Sequence, residues 1–231
     1  MAITPFFVSK SFKFIPRDLL IDNNSSINTK IMNFLSIDCS TDTGSLFVKV
    51  KNKTFIQFLQ SDKFNNDLLM KQILDFLSKN KLKLEDISQI YVNQGPGNFS
   101  GLRGSLATAK GMCLSKKINL IGYNTFIWSC AKFINEKKIC SLVNFRGKYF
   151  IKIFKENLIY DSQIKQITRD EILEKYNETS KVIPTNVVKY FDSSILELDN
   201  LHIVDLDHNE LELLQLKGLL DENLIKPVYL S

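Results

Sequence analysis

Apolar and polar positions recur along the chain at two spacings, about two residues and about 3.6, and the switches between them predict its elements. Phe34–Asp38 and Ser45–Val50 are short apolar runs separated by the turn residues Thr41-Asp42-Thr43-Gly44. Lys53–Leu59 alternates as a third strand after the tight connection Lys51-Asn52-Lys53. Three antiparallel strands need a helix over one face. Residues 66–80 supply it, with Leu69, Met70, Ile73, Leu74, Phe76 and Leu77 spread over an arc of about 160°. That arc is wider than one sheet face requires. It fits either a well-buried helix or one that faces both the core and a partner.

Gln89–Asn93 reads as a strand that feeds a helix ending near Lys116, and Asn119–Tyr123 as the strand after it. A helix over 125–133 follows, then strands at 138–144 and 149–154 around the turn Arg146-Gly147. Thr168-Arg169-Asp170-Glu171 is a capping box that opens a short helix. A strand near 202–205 and a helix over about 209–220 complete the pattern, which has no short-period repeat. Strand–strand–strand–helix–strand–helix followed by a second mixed half predicts an α/β chain of two related lobes.

Composition narrows the class. With 231 residues, 44% hydrophobic and 24% charged, the chain has a globular make-up, and no run approaches the ~18 apolar residues of a membrane span. The net charge of +5 is mild. Only Arg17, Arg103, Arg146 and Arg169 of the 30 cationic residues are arginine, and the wealth of lysine, asparagine and isoleucine fits an AT-rich genome. The lysines are therefore no sign of a nucleic-acid module. Cys39, Cys113, Cys130 and Cys140 lie far apart and read as buried free thiols.

Residues 1–31 differ from the rest. Phe6, Phe7, Phe12 and Phe14 stand among Lys10, Lys13 and Arg17, and Pro5 and Pro16 interrupt the apolar stretches, so a secretory signal is not evident. A basic organellar targeting segment is one reading of this stretch. The preferred one takes Met32 as the natural start and residues 1–31 as a disordered or mis-started extension, ahead of a first lobe over 32–125 and a smaller second lobe over 126–231. The last helix is expected to pack back on the first lobe.

The chemistry-bearing segment is Gln94-Gly95-Pro96-Gly97-Asn98-Phe99-Ser100-Gly101-Leu102-Arg103. Gly95 and Gly97 permit unusual backbone angles and the approach of a ligand to the main chain, and Ser100 reads as the helix N-cap. Free amides in the first helical turn make an anion site. Along the helix, Leu102, Leu106, Ala109 and Cys113 form an apolar stripe, while Gly104, Ala107, Thr108 and Gly111 form a stripe of small residues open to a second backbone. His202 and His208 are six residues apart and cannot form a one-turn metal-binding pair; no metal site is expected.

Three segments together resemble the bacterial TsaB (YeaZ) family of the actin-like ATPase superfamily: Phe34-Leu35-Ser36-Ile37-Asp38-Cys39-Ser40-Thr41, the run from Gly95 through Arg103 and on to Gly111, and Pro227-Val228-Tyr229-Leu230. The resemblance runs from Met32 to Ser231. Departures are Asn98 and Ser100 where the family usually has serine and threonine, Gly104-Ser105 for Ile-Gly, Phe64 and Asn65 where a histidine is common, and Val143-Asn144-Phe145-Arg146 in place of an aspartate.

The resemblance implies an actin-like (ribonuclease H-like) α/β fold with two lobes of mixed sheet covered by helices. It also implies a cytoplasmic, non-catalytic dimerisation subunit of the machinery that makes threonylcarbamoyladenosine in tRNA. Its partners would be a catalytic paralogue, TsaD, and an ATPase subunit, TsaE, with self-pairing when alone and only indirect contact with tRNA. The implied interface residues are Leu69, Met70, Ile73, Leu74, Phe76, Leu77, Gly104, Ala107, Thr108 and Gly111. No catalytic residue and no required cofactor is expected. ATP or ADP with Mg²⁺ at the partner interface is the option left open, around Asp38, Ser40, Thr41, Gly95, Gly97, Asn98, Ser100, Gly101 and Arg103. The alternative is a stand-alone actin-like kinase or ATPase using the same residues.

Overall fold

In the computed structural model, which describes residues 32–59, 68–223 and 225–230, strand β1 (Phe34–Asp38) is buried at every position. It is central: β2 (Gly44–Val50) pairs antiparallel on one side and β4 (Gln89–Asn93) parallel on the other. β3 (Lys53–Leu59) and β5 (Asn119–Tyr123) complete a sheet of order β3-β2-β1-β4-β5. A second sheet is built from β6 (Lys138–Phe145), β7 (Lys148–Lys155), β8 (Lys165–Ile167), β9 (Ser180–Pro184) and β10 (Leu201–Val204) in the order β10-β9-β6-β7-β8. Read from β8, the second order repeats the first. Each lobe has a three-strand antiparallel meander whose first strand also pairs parallel with the fourth, and the fourth with the fifth. The two related α/β lobes agree with the expected fold.

Strand alternation sorts side chains into layers. Leu35, Ile37, Leu46, Val48, Ile90 and Val92 point outward from the first sheet onto α1 (Leu69–Lys79) and α2 (Phe99–Lys116). Phe34, Phe47, Tyr91 and Tyr123 point inward, where α3 (Thr125–Cys130) and α6 (Glu210–Leu216) fill the space between the sheets with Phe126, Ile127, Leu211 and Leu214. On its far side the second sheet carries Ile172 of α4 (Arg169–Glu174) and Ile195 of α5 (Ser193–Leu196). The middle layer also ties α6 to the first sheet, through the ion pair Lys49–Glu212 and a hydrogen bond between Tyr91 and Gln215.

Most boundaries fall within a few residues of expectation. The Thr168 capping box opens α4 as predicted, and all four cysteines are free and buried. The final helix is shorter than expected, ending at Leu216, because Gly218 adopts a positive φ of 68° beyond it. β8, β9 and α5 lie in a stretch whose pattern predicted nothing beyond the α4 cap. Expectations for residues 1–31, and for the helix start at 66–67, fall outside the described residues.

Candidate functional site

Two features stand out: the junction that joins β1, β4, α2 and α3, and the outer face of α1 and α2. At the junction, Asn93 is fully buried at the end of β4. Its Nδ2 donates to Asp38 Oδ1 at 3.0 Å, with Ser40 Oγ and Thr125 Oγ1 both at 3.2 Å, and its Oδ1 accepts the Gly95 N–H at 2.8 Å. Asp38 Oδ1 also accepts the Ser40 N–H at 2.9 Å. Burial pushes the Asp38 carboxyl above the ordinary carboxylate range, opposed by the hydrogen bonds from Ser40 and Asn93. Asp38 thus braces the turn after β1.

The glycines of the signature loop answer to the chain's own backbone. A Cβ at Gly97 would lie 2.0 Å from the Ser40 carbonyl oxygen, and one at Gly101 would lie 2.3 Å from that of Cys39. The loop closes on the β1–β2 turn further through the Asn98 N–H, which donates to Ser40 O at 2.7 Å. At Gly97, the expectation that a ligand approaches the main chain is therefore corrected: the turn at Ser40 fills that space, while a Cβ at Gly95 would meet Leu102 Cδ1 at 2.9 Å and Val228 O at 3.0 Å. The N-cap is corrected too. Asn98 has extended backbone angles and its Oδ1 accepts the Ser100 N–H at 3.1 Å, so asparagine, not Ser100, caps α2. Ser100 is exposed on the first turn.

The C-terminal segment straps this junction. Val228 N–H donates to Gln94 O at 2.7 Å, and Gln94 Nε2 to Lys226 O at 3.0 Å. Tyr229 then stacks on Phe99, centroids 5.4 Å apart, and its hydroxyl accepts Arg103 Nε–H at 3.0 Å, while the guanidinium lies 4.0 Å over the Phe99 ring. The sequence placed Arg103 at the loop but offered no sign that a residue 126 positions away holds it.

Between the lobes lies a cavity of about 620 Å³ lined by Ser40, Thr41, Asn98, Asn144, Arg146 and Lys189 among others. Of the sequence-predicted residues it gathers Ser40, Thr41, Gly97 and Asn98 and leaves out Asp38, Gly95, Ser100, Gly101 and Arg103. The one carboxylate in its lining is Asp42, and the second-lobe wall offers asparagines and cations. That donor set does not fit Mg²⁺, which wants carboxylates with phosphate oxygens. No group of three or more metal-ligating side chains occurs among the described residues.

On the outer face, the residues expected to meet a partner divide in two. Leu69, Ile73, Phe76 and Leu77 are at most 2% exposed and belong to the core over the first sheet, so their assignment to a partner surface is corrected. Met70 and Leu74, 39% and 47% exposed, point outward, with Ala107, Gly111 and Leu114 exposed on α2 and Gly104 and Thr108 half-buried. Gly111 has open space where a Cβ would stand.

His208, which the sequence offered only as one of two histidines too far apart for a metal pair, has a structural seat that the sequence did not reveal. It is 3% exposed in the middle layer, stacked on Phe47, with Nδ1 2.9 Å from Ser36 Oγ and Nε2 3.0 Å from Ser45 Oγ. Burial pulls its imidazole down to about 4, against the pull of the Asp207 carboxylate. No local spacing links position 208 to positions 36 and 45, so only the fold shows the contact. His202 is exposed on β10.

The chain resembles known proteins in sequence and in fold. The family model described as "TsaD: tRNA N6-adenosine threonylcarbamoyltransferase" matches residues 61–183. The tRNA threonylcarbamoyladenosine biosynthesis protein TsaB of Buchnera aphidicola (subsp. Baizongia pistaciae) is 30% identical over 112 residues, 47% of this chain and 50% of that protein. Its Escherichia coli K12 counterpart is 25% identical over 96 residues, 42% of each chain. The chain spans half or less of the length of these curated relatives. YeaZ from Pseudomonas aeruginosa superposes with a TM-score of 0.64 over 86% of this chain and 100% of that one, at 14% identity, a likeness of fold. No helix among the described residues is long and apolar enough to cross a membrane. By the matched model, which spans just over half of the chain, the chain belongs to the TsaD-type tRNA N6-adenosine threonylcarbamoyltransferase family, with its sequence similar to TsaB proteins and its fold like that of YeaZ.

Proposed function

We propose that the chain is a cytoplasmic, non-catalytic scaffold subunit of the tRNA threonylcarbamoyladenosine machinery, and that it docks onto the catalytic TsaD paralogue through the outer faces of α1 and α2. The observation that carries this reading is the apolar surface those helices leave outward, in which Met70, Leu74 and Leu114 are 39%, 47% and 84% exposed. A monomer seldom leaves such a face without use. Ala107 and Gly111 beside it let a second helix come close. About 1,600 Å² of total burial would make a stable interface. In the complex the chain holds the paralogue's neighbouring lobe in place and helps to recruit the ATPase subunit TsaE, and tRNA meets it indirectly. Alone, the same surface pairs with itself.

The junction supports a structural role. Asp38, the carboxylate best placed for nucleotide chemistry, braces a turn, and Gly97 and Gly101 pack on the backbone of Ser40 and Cys39. Light scattering on the full chain, alone and mixed with the TsaD paralogue of the same genome, tests the reading. A one-to-one heterodimer is the expected result, and a monomer indifferent to the paralogue would reject it.

The interlobe cavity favours a second reading, a stand-alone actin-like kinase or ATPase. Its volume of about 620 Å³ and the cations Arg146 and Lys189 suit a phosphate-bearing ligand, ATP or ADP. ATP turnover by the isolated chain, lost when the cavity cation is removed in Arg146→Ala, would support that reading over the scaffold.

A further inference from the structure

The charges on the two outer helices are one-sided. α2 carries Arg103, Lys110 and Lys116 and no acidic residue, and α1 adds Lys71 and Lys79 against Asp75 alone. Lys116 is paired with Glu85 at 2.7 Å. Arg103 and Lys110 are both exposed, and with Ala107 and Leu114 they recur at spacings of three and four residues along one side of the helix. Two copies of this face brought together would set cations near cations, which makes self-pairing weaker than pairing with an acidic face.

Arg103 differs from the lysines in being held. Its guanidinium rests 4.0 Å over the Phe99 ring, its Nε–H is taken by the Tyr229 hydroxyl at 3.0 Å, and the two rings are stacked. Among the described residues no other group bonds it, so the edge bearing both Nη groups stays available. A guanidinium fork presents parallel donors that match a carboxylate, and a fork already fixed loses little rotamer freedom on binding. Phe99 and Tyr229 are themselves 48% and 50% exposed, so the cluster stands at the surface beside the apolar face.

We propose that the Phe99–Arg103–Tyr229 cluster is a preset carboxylate anchor at the N-terminal end of α2, which directs this face to a partner helix bearing acidic side chains in preference to a second copy of the chain. This rests on the docking reading above and adds the partner's chemistry to it. The C-terminal strap, pinned to Gln94, then has a role in recognition: it delivers the hydroxyl that aims the arginine.

Affinity of the full-length chain for the TsaD paralogue, measured at 50 and 500 mM salt, tests the proposal. Wild type, Arg103→Glu, Tyr229→Phe and Leu74→Asp would be compared, each checked by circular dichroism for an unchanged fold. The anchor predicts that Arg103→Glu weakens heterodimer formation by roughly tenfold or more at low salt and leaves self-association no weaker. Tyr229→Phe, which keeps the ring stack and frees the guanidinium, should weaken it by a smaller factor, and high salt should narrow every difference. If Leu74→Asp abolishes binding while Arg103→Glu matches wild type at both salts, the face docks but the anchor is refuted. Should neither variant change binding, the docking reading itself fails and the anchor with it.

Discussion

Gly97 and Ser40 are packed backbone against backbone: a Cβ at 97 would stand 2.0 Å from the Ser40 carbonyl oxygen, in a place where the Asn98 N–H already donates to that oxygen at 2.7 Å. The signature loop and the β1–β2 turn thus form one unit. Backbone cannot swing aside as a flexible side chain can, so the contact explains the glycine without any ligand.

Gly97→Ala should accordingly destabilise the fold by about 2 kcal/mol or more, in the range of overpacked cores. Urea unfolding measures it directly. Gly111→Ala is the control, since open space surrounds that position and its helix should gain by up to about 1 kcal/mol. Equal midpoints for Gly97→Ala and wild type would contradict the packing account.

Asp38 gives a pH signature. Its carboxyl titrates above the usual value in the folded state, so between the unfolded and folded values the folded chain binds more protons, and stability falls as pH rises through that window. Asp38→Asn removes the ionisation and keeps an oxygen that can accept from Ser40 and Asn93. It should unfold at a higher urea concentration than wild type at pH 7 and approach it at pH 4. A variant less stable than wild type at pH 7 would show that the charge itself stabilises the turn.

His208 acts with the opposite sign. With the folded imidazole at about 4 and the free one near 6.5, the unfolded chain binds the extra proton, so stability is present above 6.5 and is lost as pH falls towards 4. Over that interval the loss amounts to about 3 kcal/mol at ~1.4 kcal/mol per pH unit. His208→Gln should be less stable at pH 7 and lack this part of the acid slope. Parallel pH–stability curves for variant and wild type would disprove the buried neutral imidazole.

Much of the fold could be read from local pattern because its causes are local. β1, β2 and β3 follow from alternation and turn residues, α4 from its capping box, and the two-lobe layout from the order of elements. What escaped depends on distant residues. The face of α1 that meets the core could not be chosen from an arc of six apolar residues; only contact with the sheet separates Leu69 and Ile73 from Met70 and Leu74. The Arg103–Tyr229 bond and the seat of His208 between Ser36 and Ser45 join positions more than a hundred residues apart. Gly97 is visible in the sequence, yet its purpose is not, since a close approach by ligand and one by backbone require the same residue.

That division of α1 separates folding from docking. Leu69→Ala opens a cavity in the core and should cost about 2–5 kcal/mol of stability, whereas Leu74→Ala should alter stability by less than about 0.5 kcal/mol. Thermal melting of the two variants distinguishes them, and equal losses would place Leu74 in the core.

The central claim, that the outer faces of α1 and α2 bind the TsaD paralogue, is tested most directly by light scattering on mixtures of that paralogue with wild-type chain and with Leu74→Asp. The account predicts a one-to-one complex for wild type and separate species for Leu74→Asp, the variant remaining folded. An equally stable complex with the variant would contradict it.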